Sequence, residues 1–83
     1  MVGIESSRLI KEIEGFRELE VVDFFLEPSR NLYILELRVY GGAMGGREGV
    51  IDEVVDVIDS YGFQVIDVDY DDINGEYSIA FTL

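Results

Sequence analysis

The chain has 83 residues, with 18 acidic and six basic side chains, no histidine and no cysteine, and its formal net charge is −12. A chain of this length forms one domain with one small core, and its negative charge repels nucleic acid phosphates and anionic lipid. No apolar run approaches the roughly 20 residues of a membrane span or resembles a secretory signal, so we expect a cytoplasmic protein that binds neither nucleic acid nor membrane.

Residues 4–40 have the pattern of a helix followed by a β-hairpin. Either Ser6 or Ser7 is suited to cap the helix, whose apolar side chains recur at helical spacing at Leu9, Ile10, Ile13 and Phe16. Two runs of strand composition, residues 21–26 and 32–39, flank the turn-forming sequence of residues 28–31. Pairing Glu27 with Leu32 places apolar residues opposite one another on a predicted core face. These pairs are Val22 with Leu37, Phe24 with Leu35 and Leu26 with Tyr33.

A glycine-rich loop, residues 41–46, follows the first hairpin and leads into the second helix. Its spacing does not meet GxGxxG, and a phosphate-binding loop would need Lys and Ser or Thr where Arg47 and Glu48 stand. Two interpretations remain open. The loop is either a mobile connection, which we favour, or a site where backbone amides and Arg47 hold an anion. The residues concerned are Gly41, Gly42, Gly45, Gly46 and Arg47.

Residues 47–83 repeat the order of helix and hairpin. Apolar residues between Gly49 and Tyr61 recur with helical spacing, and a strand of this length would bury aspartates, so a helix is predicted, with Gly62 as its left-handed C-terminal residue. Strands at 63–71 and 76–83 are joined through Asn74-Gly75, read as a two-residue turn with positive φ at both positions. The predicted core pairs are Ile66 with Leu83, Val68 with Phe81 and Tyr70 with Ile79.

The two units match each other at an offset of 44 residues in the hairpins and 45 in the helices. All seven inward pairs at the first offset are apolar: Val22/Ile66, Phe24/Val68, Leu26/Tyr70, Tyr33/Tyr77, Leu35/Ile79, Leu37/Phe81 and Val39/Leu83. The sequence therefore predicts one two-layer α+β domain of order αββαββ, a possible internal duplication, with a four-stranded antiparallel sheet and both helices on one face. The strand order does not follow from the sequence.

The outer sheet face of the first hairpin is predicted to be half apolar. A partly apolar open face on a small protein indicates an interface or a surface covered by a loop. We assign as a candidate interaction surface Val21, Phe25, Ile34 and Tyr40. Its partner is either another protein or a second copy of the chain.

The matching face of the second hairpin carries Asp67, Asp69 and Asp71, which indicates a weak site for Ca²⁺ or Mg²⁺ as the alternative function. An EF-hand is excluded, because registering its glycine on Gly75 puts Tyr70 and Phe81 at ligand positions. No cofactor motif is present. With no histidine and no thiol, no catalytic residue is assigned and a small enzyme is the third alternative.

The order of helix-hairpin, glycine-rich loop and helix-hairpin, together with high acidity and no cysteine, resembles small uncharacterised α+β proteins of archaea, including those of methanogens. The resemblance spans the chain but transfers no functional residue. A halophile's protein would share the acidity. The sequence thus predicts a small acidic binding or protein-interaction module.

Overall fold

The computed structural model describes residues 4–40 and 46–83, with only the backbone described at 4–6 and 47. Two helices and four strands follow one another in the order αββαββ. They are α1 (Ile4–Glu14), β1 (Leu19–Glu27), β2 (Leu32–Val39), α2 (Gly46–Ser60), β3 (Gln64–Asp71) and β4 (Glu76–Thr82). The predicted α+β architecture is confirmed. The predicted loop at 41–46 lies outside the described residues except for Gly46, which begins α2.

Both helices bury the stripes that their spacing predicts. Leu9 and Ile13 of α1 are fully buried, as are Val54 and Ile58 of α2 at the offset of 45. The predicted caps are wrong, because α1 begins at Ile4 and includes Ser6 and Ser7. At the end of α2, Gly62 has a φ of 89° and its amide donates to the Asp59 carbonyl at 3.0 Å. The left-handed C-terminal glycine is thereby confirmed.

The sheet is antiparallel throughout, with the strand order β1-β2-β4-β3. Leu35 pairs with Ile79 at the centre of β2 and β4, and on either side Tyr33 pairs with Phe81 and Leu37 with Tyr77. Adding 44 to a residue number in the first unit gives the equivalent residue in the second, so Tyr33 corresponds to Tyr77 and Leu37 to Phe81. The two flanking pairs are therefore equivalent to each other, and Leu35 is paired with its own equivalent, Ile79. The two units are therefore related by a pseudo-two-fold axis through the pair of Leu35 and Ile79.

Each edge strand carries a β-bulge at the same place in its unit. The register of β1 shifts between Val21 and Asp23, and that of β3 between Val65 and Asp67. The intervening residues, Val22 and Ile66, are 41% and 51% exposed, so their assignment to the core face is wrong. At a bulge, two residues of one strand lie opposite a single residue of its partner strand, so the side chains before the bulge point to the other face of the sheet from the one that strict alternation predicts. Val21 and Val65 therefore pack against the core.

The two turns are also equivalent. Each has four residues, between Glu27 and Leu32 in one hairpin and between Asp71 and Glu76 in the other. The last loop residue is left-handed in both, with φ of 55° at Asn31 and 69° at Gly75. Between the bulge and the turn, the first hairpin has the predicted register.

The predicted register of the second hairpin is wrong by two residues. Tyr70 pairs with Tyr77 and Val68 with Ile79, because Asn74-Gly75 is not a two-residue turn and Gly75 alone has positive φ there. The Gly75 amide donates to the Asp71 carbonyl at 2.8 Å, which closes the longer loop. Leu83, expected in the core beside Ile66, is 79% exposed.

The core lies between the helices and the helix side of the sheet. Four aromatic rings span the sheet at one end, with Phe24 and Phe81 stacked on Tyr33 at centroid distances of 5.7 and 5.5 Å and Phe63 edge-on to Phe81 at 5.2 Å. The edges of the sheet are less well covered on this side. Three residues face the helix side but are 39–45% exposed: Leu26, Val68 and Tyr70. All three were expected in the core.

Candidate functional site

The outer face of the sheet, opposite the helices, is the surface with most of the features of a binding site. In the described residues, both helices pack on the other side, where β2 contributes Leu35, Leu37 and Val39 to the core. The alternate residues of β2 therefore point to the outer face. Among them is Ile34, which is only 8% exposed and does not belong to that core.

An apolar row crosses the outer face at Ile34. The register pairs Ile34 with Phe25 on one side and with Ala80 on the other. Phe25 is 40% exposed, whereas Ile34 is covered by its neighbours. We call Phe25, Ile34 and Ala80 the apolar row. It joins three strands and both repeat units.

Carboxylates border the apolar row. Asp67 pairs with Ala80 at one end of the row. The neighbouring row on the same face of the sheet contains Asp23, Glu36 and Asp69. The ion pairs found among the described residues use other acids, namely Glu20, Glu27 and Glu76. Asp67 and Asp69 thus present negative charge next to apolar surface without a cation from the described part of the chain.

A depression of about 340 Å³ lies on this face where the two units meet. Its apolar lining comes from both hairpins, and its polar lining includes two of the bordering carboxylates. The lining residues are Arg30, Leu32, Ile34, Ile66, Asp67, Asp69, Ser78 and Ala80. The Arg30 side chain is ion-paired, since its Nε donates to Glu27 Oε2 at 3.0 Å. The depression therefore combines an apolar floor with net negative charge.

At the opposite end of the outer face, Arg38 is ion-paired with two glutamates. Arg38 contacts Glu76 at 2.9 Å and Glu20 at 3.8 Å. The Tyr40 hydroxyl donates to Glu20 at 2.6 Å, and this hydrogen bond raises the pKa of Tyr40 above its ordinary value. Tyr40 was predicted to belong to the interaction surface. It lies at this ion-paired end, away from the apolar row.

Each turn holds a carboxylate in place at the edge of the outer face. Asp71 accepts hydrogen bonds from the side chain of Asn74 at 2.7 Å and from the amide of Ile73 at 3.0 Å, which lower its pKa. Glu27 accepts from Ser29 and Arg30, and its pKa is likewise lowered. Asp71 is therefore committed to its turn and is poorly available to a metal ion.

The predicted site residues are only partly brought together. Phe25 and Ile34 are neighbours on the outer face, but Val21, which we expected there, packs against the core because of the bulge. Asp67, Asp69 and Asp71 all lie along β3, and in the described residues no group of three potential metal-ligating side chains is close enough to hold an ion. The prediction for Gly41, Gly42 and Gly45 lies outside the described residues, as does the Arg47 side chain.

The contribution of the second hairpin to this surface was not predicted from the sequence. Ala80 and Ser78 reach the depression because β4 pairs with β2, and Ile66 reaches it because of the bulge. Strand order cannot be read from the sequence. One signal was available for the register: the offset of 44 transfers the pair of Glu27 and Leu32 directly onto Asp71 and Glu76.

No protein-family model, curated protein or solved structure matches this chain significantly. Of the helices in the described part, neither has the length and apolar character that crossing a membrane requires.

Proposed function

We propose that this chain is a small cytoplasmic protein-interaction module that binds a protein partner on the outer face of its sheet. The partner presents apolar side chains together with lysine or arginine. The observation that carries the proposal is the position of Ile34. It is 92% covered on a face that neither helix packs against, at the floor of a depression bordered by carboxylates.

The apolar row supplies a contact area for such a partner. Phe25 is 40% exposed beside Ile34, and burying apolar surface contributes about 25 cal/mol per Å². Aromatic side chains are common among the residues that dominate binding energy at protein interfaces. The row therefore favours a partner that packs apolar side chains against the exposed Phe25 ring.

The bordering carboxylates favour a cationic partner. Lysine and arginine lay their alkyl stems along apolar surface while their charged ends stay near water or near a carboxylate. In this depression the stem would contact Ile34 and Ala80, and the charged end would lie beside Asp67 and Asp69. A second copy of this chain is the less favourable partner, because its net charge of −12 would oppose association.

The test compares matched variants as baits for capturing proteins from extracts of the source cells. Phe25→Ser removes the exposed aromatic ring, and the double change Asp67→Asn with Asp69→Asn removes two charges from the depression. Asp56→Asn with Asp59→Asn removes two charges from exposed positions of α2 and is the control.

A basic protein retained by the wild type and the control, but lost with both outer-face variants, is the expected result. It is then purified and its affinity measured directly. Equal capture by all four baits contradicts the proposal, because binding would not depend on the outer face.

A further inference from the structure

We infer that the edge of β3 binds an extended segment of the partner as a fifth strand, with alternating cationic and apolar residues. This inference rests on the proposed function, since it specifies the conformation and pattern of the cationic partner. Two properties of β3 lead to it: its place at the edge of the sheet and its alternation of acidic and apolar side chains.

The first property is an open edge. Among the described strands, β3 has one neighbour, β4, so the other side of its backbone pairs with none of them. The bulge at Ile66 disrupts pairing near the start of the strand, but from Asp67 to Asp71 the register with β4 is regular. A five-residue stretch is therefore available to form main-chain hydrogen bonds with an added strand.

The second property is strict alternation along this stretch. Asp67, Asp69 and Asp71 point to the outer face, while Val68 and Tyr70 face the helix side and are 39% and 45% exposed. A strand with cations opposite Asp67 and Asp69 and apolar residues opposite Val68 and Tyr70 would make favourable cross-strand pairs on both faces. Opposite charges and apolar pairs each strengthen such a contact by about 1.5- to 5-fold.

The same alternation disfavours pairing of β3 with a second copy. In an antiparallel pair centred on Asp69, the aspartates of the two chains would lie directly opposite one another. Like charges placed opposite each other destabilise a sheet, and charged edges are a common means of preventing self-association. The β3 edge thus selects a basic strand over another copy of itself.

The other edge strand fits this partner less well. Two of the three outer-face acids of β1, Glu20 and Glu27, are already paired with Arg38 and Arg30, and the third, Asp23, lies opposite Glu36. On the helix side the two edges are similar, since Leu26 of β1 is 40% exposed and Tyr70 of β3 is 45% exposed. The alternation of β1 is also broken, since Phe25 stands at the position where β3 has Asp69.

The experiment titrates the isotope-labelled full chain with capped Lys-Val-Lys-Val-Lys, whose pattern is the same in both directions. Two control peptides keep its charge: Val-Lys-Lys-Lys-Val, which breaks the alternation, and a version of the first peptide with every backbone amide N-methylated, which removes its main-chain hydrogen-bond donors. Amide shifts and hydrogen exchange are followed along β1 and β3. Two variants, Val68→Lys and Val22→Lys, add the same charge at similarly exposed positions on the two edges.

We expect the first peptide to slow amide exchange between Asp67 and Asp71 and both control peptides to fail to do so. Val68→Lys should weaken binding of the first peptide by at least about threefold more than Val22→Lys, because only Val68 would face the added strand.

Other outcomes separate the inference from the proposed function. Equal shifts at Ile34 and Ala80 with all three peptides, without protection of β3, would overturn strand addition and leave the outer-face site standing. Protection of β1 instead would overturn the choice of edge. Absence of any shift on the outer face with millimolar peptide would contradict both proposals.

Discussion

Leu35 and Ile79 pair directly across the central strands β2 and β4, and they are also equivalent positions of the two repeat units. Both are fully buried. The equivalence extends to the bulges at Val22 and Ile66 and to the left-handed residues that close the two turns. Shared secondary structure alone does not require bulges and turn conformations to coincide. Their agreement therefore supports an internal duplication.

This symmetry predicts equal costs for equivalent core truncations. Leu35→Ala and Ile79→Ala should each lower the free energy of unfolding by about 2 to 5 kcal/mol, because each leaves a cavity at the centre of the sheet. Val22→Ala and Ile66→Ala at the exposed bulges should change it by less than about 1 kcal/mol. Urea denaturation of the four variants tests this. A large cost at either bulge would contradict the assignment of those residues to the surface.

Helices, strands and core stripes could be predicted because each depends on local periodicity. The second hairpin shows the limit of local signals. Asn74-Gly75 favours a two-residue turn in isolation, but the Asp71 carboxylate accepts hydrogen bonds from Asn74 and from the Ile73 amide and thereby stabilises a four-residue turn. Transferring the pairing of the first hairpin at the offset of 44 would have corrected the register.

The candidate site could be predicted only in part, because it depends on non-local contacts. The pair of Phe25 and Ile34 follows from the first hairpin alone. The role of Ala80 requires that β4 lie beside β2, and the exclusion of Val21 requires the bulge. Neither has a distinctive signal in one sequence.

Adjacent phenylalanines provide a test of the two faces. Phe25→Ser should leave the fold intact and change the free energy of unfolding by about 1 kcal/mol or less, because the ring is partly exposed on the outer face. Phe24→Ser should cost about 2 to 4 kcal/mol, because its ring stacks on Tyr33 and Phe81 in the core. Thermal and urea unfolding measure both. The reverse order of costs would mean that the sheet faces are exchanged.

The second turn should make stability depend on pH through Asp71. Its lowered pKa means that the folded state favours the charged carboxylate, so its contribution is present at neutral pH and is lost as pH falls through its folded pKa, below about pH 4. Asp71→Asn should therefore destabilise the protein at pH 6 and have a smaller effect near pH 2. Asp72→Asn, which removes a charge from the same loop, is the control. Equal and pH-independent effects of the two changes would contradict this role for Asp71.

The helix layer contains a link that should be lost at high pH. The Tyr61 hydroxyl donates to Glu12 at 2.8 Å and connects α1 to the residue after α2, which raises the pKa of Tyr61. The neutral phenol is thus favoured in the folded state, and its contribution is present below about pH 10 and is lost as pH rises through the folded pKa. Tyr61→Phe should lower the melting temperature at pH 7 and have little effect above pH 11. Equal melting temperatures at pH 7 would show that this link does not stabilise the fold.

Divalent cations should bind the β3 carboxylates only loosely. Alternate residues of one strand have Cα atoms roughly 6.5 to 7 Å apart, whereas calcium takes six to eight oxygens at about 2.3 to 2.6 Å. Asp67 and Asp69 cannot supply such a shell, and the Asp71 carboxylate already accepts hydrogen bonds from its turn.

We therefore expect Ca²⁺ and Mg²⁺ to raise the melting temperature only as much as monovalent salt does at the same ionic strength, because both screen the repulsion within a chain of net charge −12. Calorimetric titration should show no saturable binding at micromolar concentrations. Stoichiometric micromolar binding would contradict this expectation, because it would require ligands beyond Asp67, Asp69 and Asp71, and cation binding would then replace protein interaction as the leading function.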